Sequence, residues 1–446
     1  MARLLARRTV LRAALAASAC AGLGCLAACS GGKENVPAEP APTNPSEGKL
    51  GGKLVLYTSC TESLVNAVVP AFMEESGTAV RVVRGTTGEL LARLGQEAAS
   101  GEVVADVMWG GDASWYVPTS GEKNPGEPGS DADGSPFQAY VSADNASMRE
   151  GCGNVAGVAT PVTREVAVIA VGAGPALDGA GGTAAAGDAA ADSAGKGAGT
   201  DAAAEGTDAA AEDTDATTAA DATTTGAASS EPVAPVAPTG YEDLLDRADA
   251  TAAVAIERPE ESAAALAHLA ALRADLGKTD PDAPWAYAGE LLAMAQVTST
   301  DEVGDGEAAL AAVLEGDAVC ALTLEQACLA SAAEGLGVSV VYPEEGTLVT
   351  CGCTAIVRDC AHLSQARAWV DFVTGEACQR ALAEQAFSRP VREGVEDPSG
   401  LPEVPSPQEV AREELLATWG SVEDGSWQPE SESDAAEPSE EAPSGE

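Results

Sequence analysis

Histidine and positive charge are what this sequence has least of. It holds two histidines in 446 residues, and 24 Lys plus Arg against 70 Asp plus Glu, for a formal net charge of −46. So acidic a chain is repelled at long range by nucleic acid and by anionic membrane surfaces, and neither is expected as a partner. His268 falls in an alanine-rich helical pattern and His362 near a helix start, so both read as packing or surface residues, and no resident metal or cofactor is expected. Cys60 is the one candidate nucleophile, and no general base is placed with it, so no enzymatic activity is expected. The apolar run at residues 13–28 is too short and too alanine-rich for a confident membrane span.

What precedes that run is informative. Arg3, Arg7, Arg8 and Arg12 carry charge with no acid among them, so residues 1–28 have the layout of a secretory signal peptide. The run ends in Leu26-Ala27-Ala28-Cys29-Ser30, which resembles the lipobox of bacterial lipoproteins. That resemblance implies lipidation of Cys29, and acyl chains at about 0.8 kcal/mol per buried CH₂ suffice for stable anchoring. Arg7-Arg8 also resembles a twin-arginine export signal, which leaves the export route open. The expected location is the outer face of the cytoplasmic membrane. Residues 29–49 are rich in Pro, Gly and charge, as a flexible stalk would be. Residues 173–238, almost entirely Ala, Gly, Thr, Asp and Ser, cannot build a core and read as a disordered insertion. The acidic, proline-punctuated residues 421–446 read as a disordered tail.

The remainder alternates strand and helix patterns. Residues 53–57 and 79–83 are strand-like and 107–109 follows as a third. Between them, 62–75 places Leu64, Val65, Val68, Val69 and Phe72 at helical spacing, and 88–100 does the same with Leu90, Leu91, Leu94 and Ala98. The class is therefore α/β with parallel strands. Ligands on such sheets bind beyond the carboxyl ends of the strands, where this chain has Thr58-Ser59-Cys60-Thr61, Gly85-Thr86-Thr87-Gly88 and Gly110-Gly111-Asp112. Helix N-termini beside such loops offer free N–H groups suited to an anion. Thr86 and Glu89 stand at capping-box spacing, so Thr86 is expected to cap the second helix while Thr87 faces the ligand.

In order and spelling, the run from Leu54 to Val117, then Gly240-Tyr241-Glu242-Asp243-Leu244-Leu245, residues 340–347 and 353–373, and Ser388-Arg389-Pro390-Val391 resemble bacterial extracellular solute-binding proteins of ABC importers, in the iron(III)-type branch. The resemblance implies a type II periplasmic-binding-protein fold: two α/β lobes, two crossovers and a hinge cleft. Lobe 1 would be 50–160 with 347–420, and lobe 2 would be 161–346. It also implies a monomer that captures a small ligand and delivers it to an ABC permease and ATPase. Carried over, the ligand-binding candidates are Ser59, Cys60, Thr86, Thr87, Gly111 and Asp112 in the first lobe. In the second they are Ser262, Ser299, Thr323, Glu325 and Glu345. Iron-binding members use a His in the first loop and adjacent tyrosines in the second lobe. This chain has Thr58-Ser59-Cys60-Thr61-Glu62 and Leu322-Thr323-Leu324-Glu325-Gln326 there. The expected ligand is therefore a small anion such as a phosphonate or sugar phosphate, with ferric iron as one alternative and a ligand-sensing partner of a membrane kinase as another. Eight cysteines beyond Cys29 permit disulfides whose pairing the sequence leaves open.

Overall fold

The computed structural model describes residues 48–117, 135–172, 237–245, 254–299 and 302–429. The expected signal peptide, Cys29, the stalk up to residue 47, residues 173–236 of the insertion and the tail from 430 lie outside the described residues. Among the described residues no helix is long and apolar enough to cross a membrane.

The chain begins β1 (Lys53–Thr58), α1 (Glu62–Ser76), β2 (Ala79–Arg84), α2 (Thr87–Ser100) and β3 (Val107–Trp109). The expected alternation holds to within a residue at each end. Helix α1 forms because Leu64, Val65, Val68, Val69 and Phe72 recur on one buried face. Thr61 caps its start by accepting the Leu64 N–H, and Gly77 ends it at φ 70°. In α2 the buried stripe is narrower than the pattern suggests: Leu90 and Leu94 are buried while Ala98 is exposed. Strand β1 pairs in parallel with both β2 and β3, which leaves the three carboxyl-end loops side by side.

The second stretch runs β4 (Phe137–Gln138), β5 (Thr160–Gly172), α3 (Glu242–Leu245), β6 (Val254–Ile256), α4 (Ala263–Asp275), α5 (Ala283–Met294), β7 (Gln296–Val297) and α6 (Glu307–Glu315). It continues through β8 (Cys320–Leu324), α7 (Glu325–Ala333), β9 (Val338–Val341), β10 (Val349–Val357), α8 (Leu363–Thr374), α9 (Glu376–Ala386), β11 (Arg389–Pro390) and α10 (Arg412–Glu423). The strands form one mixed sheet in the order β2-β1-β3-β10-β5-β8-β6-β7, with β4, β9 and β11 attached at its middle. Strand β5, 13 residues long, makes this continuity possible. At roughly 3.3 Å per residue it is long enough to pair with β10 and β11 through its first half and with β8 and β9 through its second.

Helices flank the sheet on a divided core. Near the β1 end, Phe72 and Trp109 both meet Trp369 edge-on, with ring centroids 5.3 and 5.5 Å from it. At the other end α4 is buried almost all round and packs against α5, and α10 lies on both. Helix α10 continues to Glu423, past the expected start of the tail, because Leu415 and Trp419 bury against that surface.

Candidate functional site at the carboxyl ends of the strands

The loops after β1 and β3 face β5, the start of α7 and the loop before α6 across a small cavity. Its wall includes Ser59, Cys60, Gly110, Gly111, Thr163, Glu165, Asp305 and Gln326. The space open to the centre of a water-sized sphere is about 20 Å³, room for one water or one ion. No Lys, Arg or His lines it among the described residues.

The two threonines that open α2 divide their work. Thr86 caps the helix: its hydroxyl accepts the Glu89 N–H, and the Glu89 carboxylate accepts the Thr86 N–H at 3.0 Å. Thr87, fully buried, turns both its N–H and its hydroxyl to Asp305, at 3.0 and 2.6 Å. Since that hydroxyl proton goes to Asp305, the Ser59 hydroxyl 2.7 Å away is the donor to Thr87 Oγ1. The next N–H of the helix, on Gly88, donates to the carbonyl of Glu261 at 2.8 Å. The first-turn donors of α2 are thus all occupied by the protein itself.

At α1 the Glu62 N–H donates to the Glu307 carboxylate at 3.0 Å and the Leu64 N–H to the Thr61 hydroxyl at 3.5 Å. Glu307 also pairs with Arg84, which donates to the Cys60 carbonyl at 3.1 Å. Gln326 joins the two sides as well, accepting from the Thr61 hydroxyl and donating to Ser63 Oγ, each at 2.7 Å. Carboxylates from one end of the sheet therefore sit on the helix N-termini of the other.

Burial makes Glu165, Asp305 and Asp112 hard to ionise. It pushes Glu165 up to about 8, helped by the nearby charge of Asp305 and opposed by a hydrogen bond from Thr163. Asp305 rises to about 7 by burial, against the hydrogen bonds from Thr87. Asp112 is raised too, although its side chain accepts the Ser114 N–H at 2.8 Å and caps a short 3-10 turn. The Cys60 thiol is driven well above its ordinary value by burial, which leaves it a neutral wall residue and a poor nucleophile. Among the described residues no group of three or more His, Cys, Asp or Glu side chains stands assembled to hold a metal ion.

A family model described as bacterial extracellular solute-binding protein matches residues 67–413. The chain belongs to this family. It is accordingly an exported solute-binding transport protein of an ABC-type uptake system that takes up a small ligand, and not an enzyme. No curated protein matches the sequence. Among solved structures, the periplasmic binding protein AfuA from Actinobacillus pleuropneumoniae, with exogenous fructose-6-phosphate bound, is 15% identical at a TM-score of 0.60, over 83% of this chain and 98% of that one. Iron-bound HitA from Pseudomonas aeruginosa is 17% identical at 0.55, over 83% and 99%. Apo ferric ion-binding protein A from Pasteurella haemolytica is 15% identical at 0.53, over 83% and 98%. At such identities the likeness speaks to the fold.

In this solute-binding protein the expected first-lobe residues Ser59, Cys60 and Gly111 line the cavity, with Thr87 directly behind Ser59. The expected second-lobe residues do not join them. Ser262 caps α4, and Thr323 donates its hydroxyl to the Gly306 carbonyl at 2.9 Å. Ser299 is exposed beyond β7. Glu325 is buried in a two-bond ion pair with Arg389, at 2.7 and 2.8 Å, and also accepts from Tyr342. Glu345 accepts the Glu242 N–H at 2.8 Å, where it ties the 340–347 turn to α3. Each of these two acids has a structural partner, and neither lines the cavity. His268 is a core residue as expected, bonded to Tyr241 and to the Thr323 carbonyl at 2.9 Å each, and burial lowers it to about 4.

The acids that do reach the cavity, Glu165 and Asp305, carry a signal in the sequence. Glu165 with Arg164 interrupts the otherwise apolar strand of residues 160–172, and Asp305 stands in the Gly-rich turn Gly304-Asp305-Gly306 that opens α6. A buried strand tolerates a carboxylate where something compensates it.

Proposed function

We propose that this protein captures a small hard cation, ferric iron foremost, and passes it to a membrane permease driven by an ATPase. The observation that carries this reading is the acid wall: Glu165 and Asp305 flank a water-sized cavity with no cationic side chain to neutralise them. A buried carboxyl and a half-buried one, both raised and facing one cavity, are an arrangement that a bound cation relieves, since the ion becomes the largest charge in the site. Carboxylate and hydroxyl oxygens are the donors that hard cations take. Glu165 and Asp305, with the hydroxyls of Ser59 and Thr163 and with water, would replace the imidazole and phenolate ligands that the iron(III)-type resemblance leads one to expect. Among proteins that share the fold, HitA is iron-bound and a second is named a ferric ion-binding protein.

A phosphonate or sugar phosphate, the ligand expected from the loops alone, is less well supported. The helix N-termini that would bind it are already met by Asp305 and Glu307, and a bare anion would approach a chain of net charge −46.

In this proposal residues 50–160 with 347–420 and residues 161–346 act as two lobes that close over the ligand, with β5 and β10 as the connecting strands. A lipid on Cys29 holds the monomer at the membrane. Metal analysis tests the ligand: the soluble chain lacking residues 1–29 is incubated with ferric citrate, passed through gel filtration and assayed for iron. About one iron per chain is expected, falling to background in Glu165→Gln/Asp305→Asn. Iron retained equally by both proteins would overturn the assignment of the site, and iron retained by neither would overturn the ligand.

A further inference from the structure

We infer that Cys152 and Cys351 form a disulfide in the exported protein. Their sulfur atoms lie 3.7 Å apart, in contact, and both residues are buried. Cys152 sits in the turn that follows the 3-10 segment Ala143–Ser147, and Cys351 lies on β10 opposite Arg164 of β5. The other thiols around them are directed elsewhere. Cys353 donates to the Cys351 carbonyl at 3.2 Å and Cys60 to the Trp109 carbonyl at 3.7 Å, while Cys360 accepts from Gln138 at 3.7 Å. An S–S bond of about 2.05 Å is reached from contact by a small side-chain movement.

The chemistry suits the place. Exported proteins meet an oxidising environment, where paired thiols become disulfides. The oxidant is another disulfide, on a protein or a small molecule. Cys152 thiolate attacks it and forms a mixed disulfide, expelling one thiol of the donor. Cys351 then loses its proton and attacks the Cys152 sulfur, which expels the second. Two protein thiols are oxidised, the donor disulfide is reduced to two thiols, and the two protons pass to them. Because both sulfurs are buried in the finished fold, the exchange belongs to folding after export.

The bond would tie the turn at 150–153 to β10 beside the bulge at Gly352/Cys353, where β10 passes along β5. It would close a loop across a sequence separation of 199 residues. Its position is next to the Arg149–Asp397 and Arg164–Asp397 ion pairs, and neither cysteine lines the cavity.

The test is peptide mapping of the full chain isolated from its exported location without reductant, alkylated while denatured and cut with trypsin and a Glu-specific protease. Residues 151–164 are expected to be linked to residues 346–358, with a mass two hydrogens below the sum of the free peptides, and to separate on reduction. Because the second peptide also holds Cys353, the variants decide the partner: Cys351→Ser should abolish the linkage and free Cys152 for alkylation, whereas Cys353→Ser should leave it. Reductant should lower the melting temperature of the wild-type chain and leave that of Cys152→Ala/Cys351→Ala unchanged. Full alkylation of Cys152 and Cys351 without reductant, or linkage of Cys152 to another cysteine, would overturn the inference.

Discussion

Asp305 reaches across the cavity to accept both the N–H of Thr87, at 3.0 Å, and its hydroxyl, at 2.6 Å. A carboxylate from the loop before α6 thereby occupies the N-terminus of α2, where an anionic ligand would otherwise dock. The neighbouring threonine has no part in this contact. Thr86→Ala should cost about 1 kcal/mol of stability, the usual loss for a helix cap, and leave ligand affinity unchanged. Thr87→Val keeps the shape and removes one buried hydrogen bond to Asp305. It should weaken cation binding by about 1 kcal/mol, near fivefold. Urea unfolding and a ligand titration of the two variants separate these effects.

Raised carboxyls set the pH behaviour. With Glu165 lifted from its ordinary 4.5 to about 8 in the fold, the native protein holds a proton that the unfolded chain has already released between those values. Stability of the ligand-free protein is therefore greatest on the acid side and falls as pH rises from about 4.5 through about 8. Asp305 adds the same sign over 3.8 to about 7. Melting temperatures of metal-free protein measured from pH 5 to 9 should decline accordingly, and Glu165→Gln should flatten the upper part of that slope. Cation binding runs the other way, because the acids must ionise to hold the ion. Affinity should strengthen from pH 6 to 8, with protons released on binding.

Close approach of the two sides depends on Gly88. A Cβ there would stand 2.6 Å from the Glu260 carbonyl oxygen and 2.7 Å from the Glu261 Cα, both backbone atoms. Gly88→Ala cannot be accommodated without separating the α2 N-terminus from that loop. The variant is expected to show a larger radius of gyration by small-angle scattering in the presence of ligand, and weaker binding, with its ligand-free melting temperature changed far less.

The buried Arg389–Glu325 pair is a stability element. Arg389→Met would leave Glu325 buried without its cation, and removal of one partner from such a pair costs about 3–5 kcal/mol. Chemical denaturation should show that loss. Glu325→Gln keeps hydrogen bonding to Arg389 and should leave ligand affinity at the wild-type value.

The fold was legible where local pattern and burial agree. Residues 53–109 carry their apolar positions at strand and helix spacing, so β1 to β3 appear at the expected places, and Thr86 with Glu89 announces its cap. The class and the cavity wall at Ser59, Cys60 and Gly111 follow from this stretch. The far wall was not legible, because it is set by contacts between distant segments. Nothing near Glu325 in sequence indicates that Arg389, 64 positions away, neutralises it. Asp305 stands out in its Gly-rich turn, yet nothing in that turn points to Thr87, 218 positions away, which gives it two hydrogen bonds. The extent of β5 was hidden for a related reason: its 13 residues serve two sets of partners, and pairing is not written in one strand alone.

Calorimetric titration of the soluble chain at pH 7.5 with ferric citrate, and in parallel with citrate alone, fructose-6-phosphate and an alkyl phosphonate, tests the central claim most directly. The account predicts saturable binding of iron near one per chain, abolished in Glu165→Gln/Asp305→Asn, with no heat from the phosphorus compounds. Saturable binding of a phosphorus compound that survives or strengthens in that double variant, with no response to iron, would contradict it.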